Sequence, residues 1–219
     1  TLPENPIIVK TIVTTKLINA ICNKYGAQLK DVLTGFKYIG EVILNLEKVD
    51  EAERFVFGFE ESYGYLSGSY VRDKDAVVAS MLICEMAAYY KKQGKTLAMV
   101  MDEMYSEYGY YKNTTLNFGF SGAAGMQKMA DIMSNLRENA PKEFASYKVL
   151  KIADYKESKE YDLVTGEEKT IDLPKSNVLS YSLEGEHACI IRPSGTEPKI
   201  KLYITAVGKD AQNAQEITD

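Results

Sequence analysis

The sequence predicts an α/β three-layer domain with a mostly parallel sheet, followed by a smaller α+β domain with a helix on an antiparallel sheet. Three observations carry that expectation. Strand-helix units succeed one another through the first half of the chain, which implies parallel strands joined by crossovers. After Tyr110 the pattern changes to extended runs around one amphipathic helix. Turn signals at Thr165-Gly166 and Glu184-Gly185 then separate the later strands as hairpins. The boundary is expected near residue 115, dividing the chain into 1–114 and 115–219.

Each element follows from local chemistry. "PIIVKTIV" is a β-branched run suited to a buried strand. In "TKLINAICNKYG" the residues Leu17, Ile18, Ile21 and Cys22 recur at helical spacing, with Thr14 or Thr15 as cap and Gly26 as stop. "AQLKDVL" is a weaker strand, and "FKYIGEVILNL" is a helix after Thr34-Gly35, where Thr34 reads as an N-cap. "RFVFGF" is a strand by its aromatics. A long helix runs from Asp75 to Gln93, acidic at its start, with Lys91-Lys92 at its end and Gly94 as its stop. "LAMVMDEMYSEYG" is a further helix. In the second half, "KNTTLNFGF" is extended, "AAGMQKMADIMSNLREN" is one helix stopped by Pro141, and four strands follow: "YKVLKIADY", "NVLSYSL", "HACIIR" and "KIKLYITAV". Met126, Met129 and Met133 are expected in the core, and the tyrosines at 105, 108, 110 and 111 at packing positions or the domain junction.

Composition narrows the function. The chain has 219 residues, 45% hydrophobic and 26% charged, in the range of soluble globular proteins, with no low-complexity segment and no internal repeat. No apolar run reaches membrane-spanning length, and no leader precedes the first strand, so neither a membrane nor secretion is expected. A net charge of -5 argues against general nucleic-acid binding. Cys22, Cys84 and Cys189 are far apart and in no metal-ligand spacing, so they read as reduced thiols of a cytoplasmic protein. His187 is the sole histidine, so a zinc site or a Ser-His-Asp triad built on it and the scattered cysteines is not expected.

Two loops carry chemistry. "RPSGTEPKIKLYI" (192–204) joins two adjacent strands through residues 193–198. Alternation puts Ile200, Leu202 and Ile204 on one face and Lys199, Lys201 and Tyr203 on the other. Arg192 offers a planar fork for a phosphate, Ser194 and Thr196 offer hydroxyls, and Gly195 lets the backbone come close. Pro193 and Pro198 reduce the entropy lost on ordering the loop. The plain alternative is a rigid surface hairpin with Arg192 paired to Glu197. In "FGFEESYGYL" an apolar strand ends abruptly in Glu60, Glu61 and Ser62, at the carboxyl end of a parallel strand where ligands sit. A carboxylate there can accept from two sugar hydroxyls; the alternative is a solvated acidic turn.

The first loop resembles the phosphate-binding loop in the last domain of the α-D-phosphohexomutases, the phosphoglucomutase/phosphomannomutase family. The resemblance implies that Arg192, Ser194, Gly195 and Thr196 hold the phosphate that is not transferred, with Lys199 or Lys201 in support. The second is similar to the family's Gly-Glu-x-Ser sugar loop, which implies sugar-hydroxyl contacts for Glu60 and Ser62; Phe59 stands where many members have glycine. "TGFKYIG" resembles the family's Thr-Gly loop, which would set Thr34 and Gly35 against the sugar, and "VRDKD" puts Lys74 near the reacting hydroxyl. Lys74 has an ordinary alternative, a charge pair with Asp73 or Asp75.

The family's phosphoserine loop (Thr-x-Ser-His-Asn-Pro) and magnesium loop (Asp-Gly-Asp-x-Asp-Arg) do not occur in this sequence. The resemblance therefore implies the third and fourth domains of a longer mutase, its final helix cut short, with the N-terminal domains elsewhere on the same polypeptide. Magnesium and glucose 1,6-bisphosphate would serve the full-length enzyme, which interconverts hexose 1-phosphate and 6-phosphate; this part alone would bind neither as a cofactor and would be inactive. Two other readings remain: a non-catalytic sugar-phosphate-binding regulatory module, and part of a phosphopentomutase or glucose-1,6-bisphosphate synthase relative.

Overall fold

The computed structural model describes every residue except Thr1, Ala123 and Thr196. The chain divides into two compact units, 1–109 and 110–219. That division falls a few residues before the expected boundary, because the first strand of the second unit already begins at Tyr110 and pairs along its whole length with the last strand.

In the first unit, β1 (Ile7–Thr11), β2 (Gln28–Val32) and β3 (Phe55–Glu60) are parallel, in the order β2-β1-β3. A fourth strand, β4 (Gly64–Ser67), returns antiparallel to β3 and completes the sheet. The sequence reading had no strand there, since four residues beginning with Gly show no alternation. The helix α1 (Leu17–Tyr25) ends on Gly26 in the left-handed region, as expected. Its start differs slightly: Lys16 occupies the cap position, Thr15 Oγ1 accepts from the Leu17 N–H (3.3 Å), and Thr14 is instead buried, its hydroxyl 2.8 Å from that of Thr11.

The helix α2 (Phe36–Glu47) lays Ile39, Ile43 and Leu46 on Ile7, Val9, Phe55 and Leu66, forming the unit's core. Gly58 makes that packing possible, because a Cβ there would lie 2.5 Å from Ile39 Cγ2. The expected cap by Thr34 is not formed. Gly35 stands at the cap position with φ 126° and has no side chain with which to cap the helix. The helix α3 (Ala76–Lys92) begins as read from the sequence: Asp75 accepts from the N–H groups of Val77 (2.8 Å) and Val78 (3.1 Å). The helix α4 (Leu97–Tyr108) is capped by Thr96, whose hydroxyl accepts from Met99 N–H at 3.2 Å.

The second unit is an antiparallel sheet, β5-β12-β11-β10-β7-β8-β9, with a short strand β6 beside β7. In chain order these are β5 (Tyr110–Gly119), β6 (Glu143–Phe144), β7 (Tyr147–Asp154), β8 (Lys159–Asp162), β9 (Glu168–Thr170), β10 (Leu179–Leu183), β11 (Ala188–Pro193) and β12 (Lys199–Gly208). The helix α5 (Ala124–Glu138) packs Met129 and Met133 onto Val149, Leu179, Tyr181, Ile191 and Ile200. Arg137 ties its end to β7, donating to Asp154 Oδ2 at 2.8 Å. Met126, expected in the core, is 48% exposed, while its neighbour Gly125 takes the buried position in that turn of α5. The helix α6 (Ala211–Thr218) follows β12, with Asp210 capping it through Asn213 N–H at 2.8 Å. No helix among the described residues is long and apolar enough to cross a membrane.

Candidate functional site

Each unit presents one cluster. In the first, the strand order β2-β1-β3 brings three carboxyl ends to one edge of the sheet. Thr34-Gly35 follow β2, Thr11 ends β1, and Glu60 ends β3. The side chains join these segments. Glu60 Oε1 accepts from the Gly35 N–H at 2.9 Å, so the carboxylate sits at the N-terminus of α2, where unpaired N–H groups favour a negative charge. Glu61 Oε2 accepts from the Thr11 hydroxyl at 3.4 Å, and Ser62 donates to Glu61 Oε1 at 3.0 Å. Tyr63, next in the turn, has φ 61° and is almost fully exposed.

Lys74 reaches the same cluster from the segment before α3. A Cβ on Gly64 would lie 2.8 Å from Lys74 Cδ and 3.1 Å from Glu60 Oε2, so the lysine stem and the carboxylate flank one glycine. Lys74 Nζ lies 2.8 Å from Asp73 Oδ1 and 5.2 Å from the centre of the Phe36 ring. Of the two pairings considered from sequence, the one with Asp73 is formed, while Asp75 is committed to capping. The bond from Lys74 holds the Asp73 carboxyl below its ordinary range; the Tyr70 hydroxyl, with two backbone N–H groups, does the same for Asp75. Lys74 lines two adjoining clefts, of about 840 and 860 Å³.

Thr34 Oγ1 is buried without a hydrogen-bond partner among the described residues. Sequence reasoning missed Lys10, whose side chain is only 4% exposed. Its Nζ lies 2.6 Å from Asp31 Oδ1 and 3.4 Å from the carbonyl oxygens of Thr11 and Thr14. The signal was a lone cation inside the apolar run "IIVKTIV", which costs too much to bury unless it is paired.

The second cluster is the β11–β12 connection. Arg192 and Lys201 are direct cross-strand partners, and Lys199 is two residues along on the same face. Ile200 points the other way into the α5 core, so the expected alternation holds at this end of the strand. The loop is closed by Ser194 N–H to Lys199 C=O (2.8 Å), Lys199 N–H to Glu197 C=O (2.7 Å) and Glu197 N–H to Ser194 Oγ (3.2 Å). Phe120 N–H donates to Pro198 C=O at 2.7 Å and fixes the loop's far side. A recess of about 240 Å³ is lined by Arg192, Ser194, Glu197, Lys199 and Lys201.

Charge in this recess is unbalanced. Glu197 pairs with Lys199, not with Arg192, and the bond from Lys199, with the charge of Lys201 behind it, lowers the Glu197 carboxyl. Among the described residues Arg192 and Lys201 make no ion pair, although they stand directly opposite each other. A Cβ on Gly195 would meet nothing within 4 Å, so the loop's own packing does not demand glycine there. Thr196 lies outside the described residues.

No group of three or more His, Cys, Asp or Glu among the described residues is placed to hold a metal ion. The buried cysteines are poor nucleophiles: burial pushes the Cys189 thiol up to about 12 and raises Cys22 as well.

Residues 1–108 match the family described as phosphoglucomutase/phosphomannomutase, alpha/beta/alpha domain III. The chain is 39% identical to a phosphoglucomutase of Staphylococcus aureus over 91% of its own length, and 36% identical to one of Staphylococcus saprophyticus over 96%. It spans only 35% and 37% of those relatives' lengths. Among solved structures, the phosphoglucomutase parafusin from Paramecium, in its open form, superposes with a TM-score of 0.66 at 17% identity, over 96% of this chain and 36% of that one. A structure assigned as a phosphomannomutase from Thermus thermophilus gives 0.59 at 17% identity, over 98% of this chain and 37% of that one. The two-unit fold is thus shared with these mutases, and the chain belongs to the phosphoglucomutase/phosphomannomutase family.

Proposed function

We propose that this chain is the sugar- and phosphate-binding half, the third and fourth domains, of a mutase that interconverts hexose 1-phosphate and hexose 6-phosphate. The observation that carries the reading is the recess at the β11–β12 connection, where Arg192 and Lys201 face each other beside Ser194 with no ion pair of their own among the described residues, Glu197 being bonded to Lys199. Like charges opposite each other destabilise a sheet, and a phosphate dianion would turn that repulsion into two attractions. Gly195 supports it: open space where a Cβ would go leaves room for a ligand against the backbone. Thr196 completes the hydroxyl set on the resemblance alone, and Lys199 exchanges Glu197 for the phosphate.

The sugar is held by the first unit. Glu60 uses one oxygen on Gly35 N–H and keeps the other for hydroxyls, with Ser62 beside it. Thr34 offers a buried hydroxyl oxygen that lacks a partner, and Lys74 stands next to Glu60 for the hydroxyl that reacts. Both clusters read groups present at either end of the reaction, so the substrate can be held in two orientations. Positioning of this kind can lower a barrier by several kcal/mol, of order ~7.

Magnesium and the phosphoserine belong, in this reading, to domains outside these 219 residues, and glucose 1,6-bisphosphate is the intermediate of the whole enzyme. None of the roles assigned to these residues passes through a metal, and no cluster of three or more His, Cys, Asp or Glu among the described residues is placed to hold one. Three free thiols favour the cytoplasm as the compartment.

Phosphorus NMR of this chain with glucose 1-phosphate and a trace of glucose 1,6-bisphosphate tests the reading. Line broadening lost in Arg192→Ala, with no 6-phosphate formed over hours, is expected. Steady turnover by this chain would overturn it. Broadening that survives Arg192→Ala would overturn the assignment of the phosphate to this recess.

A further inference from the structure

A glycine in a strand has no side chain to pack and loses more backbone freedom on folding than any other residue, so it calls for a local reason. Gly64 opens β4 directly opposite Glu60 and is buried. Its φ lies outside the left-handed region, so backbone strain does not demand glycine there. The reason is close approach. An added Cβ would lie 2.8 Å from Lys74 Cδ, 3.1 Å from Lys74 Cγ and 3.1 Å from Glu60 Oε2, so its three nearest neighbours all belong to two side chains of the first cluster. Glycines that serve the packing look different. A Cβ on Gly58 would strike Ile39 and Phe55 in the core, and one on Gly40 would lie 2.7 Å from the Arg72 carbonyl oxygen.

We infer that Gly64 is a positioning residue for the sugar site: the notch left by its missing Cβ lets the Lys74 stem lie on β4 beside the Glu60 carboxylate. The inference rests on the reading above, in which Glu60 and Lys74 act on the sugar. Glu60 is fixed through Oε1 by the Gly35 N–H, so a methyl at position 64 would crowd Oε2, the oxygen left for a hydroxyl. Lys74 is held at its tip, with Nζ 2.8 Å from Asp73 Oδ1 and over the Phe36 ring. Its side chain is 48% exposed, so the stem can swing into solvent at little cost to the fold, and that movement carries the ammonium out of place. A methyl here therefore spares the fold and disables the site.

The test compares Gly64→Ala with the unaltered full-length polypeptide and with Gly58→Ala, reading mutase turnover and thermal midpoint. Gly64→Ala is expected to lower turnover about 100-fold, the scale of a misplacement near 1 Å, with the midpoint unmoved or raised. Gly58→Ala, which overpacks the core, is expected to lower the midpoint. Undiminished turnover in Gly64→Ala would overturn the inference. So would a midpoint lowered as far as in Gly58→Ala, which would make Gly64 a packing residue. A readout independent of activity is proton NMR of the Lys74 side-chain methylenes in this chain, whose signals the nearby Phe36 ring displaces. In Gly64→Ala they should return toward their ordinary positions; signals that stay where they were would contradict the inference. Absence of turnover in the unaltered full-length protein would sink the mutase reading instead, and the methylene signals would still decide whether Gly64 places Lys74.

Discussion

The two clusters handle polarity in opposite ways. At the carboxyl edge of the first unit's sheet nearly every polar group is already engaged: Glu60 with Gly35, Ser62 with Glu61, Glu61 with Thr11, and Lys74 with Asp73. At the tip of β11 and β12 two cations are left facing each other. The first arrangement is ordered before any ligand arrives and exchanges one set of hydrogen bonds for another on binding. The second stores repulsion that only an anion relieves. A sugar's neutral hydroxyls suit the former and a phosphate suits the latter, because hydrogen bonds to a charged partner are worth more than those between neutral groups.

The largest effect expected from this contrast is on phosphate affinity. Arg192→Ala should weaken it by about 1.5–3 kcal/mol, roughly ten- to a hundredfold or more, as measured by calorimetry. Glu60→Ala comes next and acts differently. It strips the acceptor from Gly35 N–H and should cost the first unit about 1–2 kcal/mol of stability in denaturant unfolding, before any ligand is added. Lys201→Met should do the reverse to the second unit. Removing one of two opposed cations is expected to raise stability by about 0.2–1 kcal/mol while lowering phosphate affinity. A loss of stability in that variant would break the contrast.

The smallest effect is in acid titration, followed by carboxyl-carbon NMR. Asp73 and Glu197 are each held below their ordinary pKa by a lysine bond. Depressed folded values mean stabilisation that is present above the unfolded carboxylate range and is lost as pH falls through the folded values. Saturating phosphate should draw Lys199 away from Glu197 and move that carboxyl back upward, leaving Asp73 unchanged. Movement of both, or of Asp73 alone, would show that the two regions are not distinct in this way.

How much of this was legible in sequence follows the same physics. Strands and helices with a clear apolar period were readable, and Asp75 and Gly26 announced helix ends by their own chemistry. The β8–β9 hairpin was not, because "KEYD" and "EKT" are short polar strands at the end of the sheet, β9 its edge and β8 next to it, with no apolar alternation to betray them. Only its turn was visible, and there Asp162 accepts from the Val164 and Thr165 N–H groups. Thr34 looked like a cap because hydroxyls often are; the helix begins one residue later, and the hydroxyl oxygen is left unbonded. The phosphate-type loop was the most readable feature, since proline, glycine and a cation in six residues exceed what a hairpin needs. What the string did not reveal was the pairing within it: Glu197 takes Lys199, and Arg192 makes no ion pair among the described residues. Such choices depend on strand register, which places Arg192 opposite Lys201 and appears in no local pattern.

The most direct test is amide NMR of this chain during titration with inorganic phosphate at low salt. The account expects shifts concentrated at Arg192, Ser194, Gly195, Glu197, Lys199 and Lys201, with Gly35, Glu61 and Ser62 unmoved. Shifts at the sheet edge of the first unit in place of the loop, or none in either region, would contradict it.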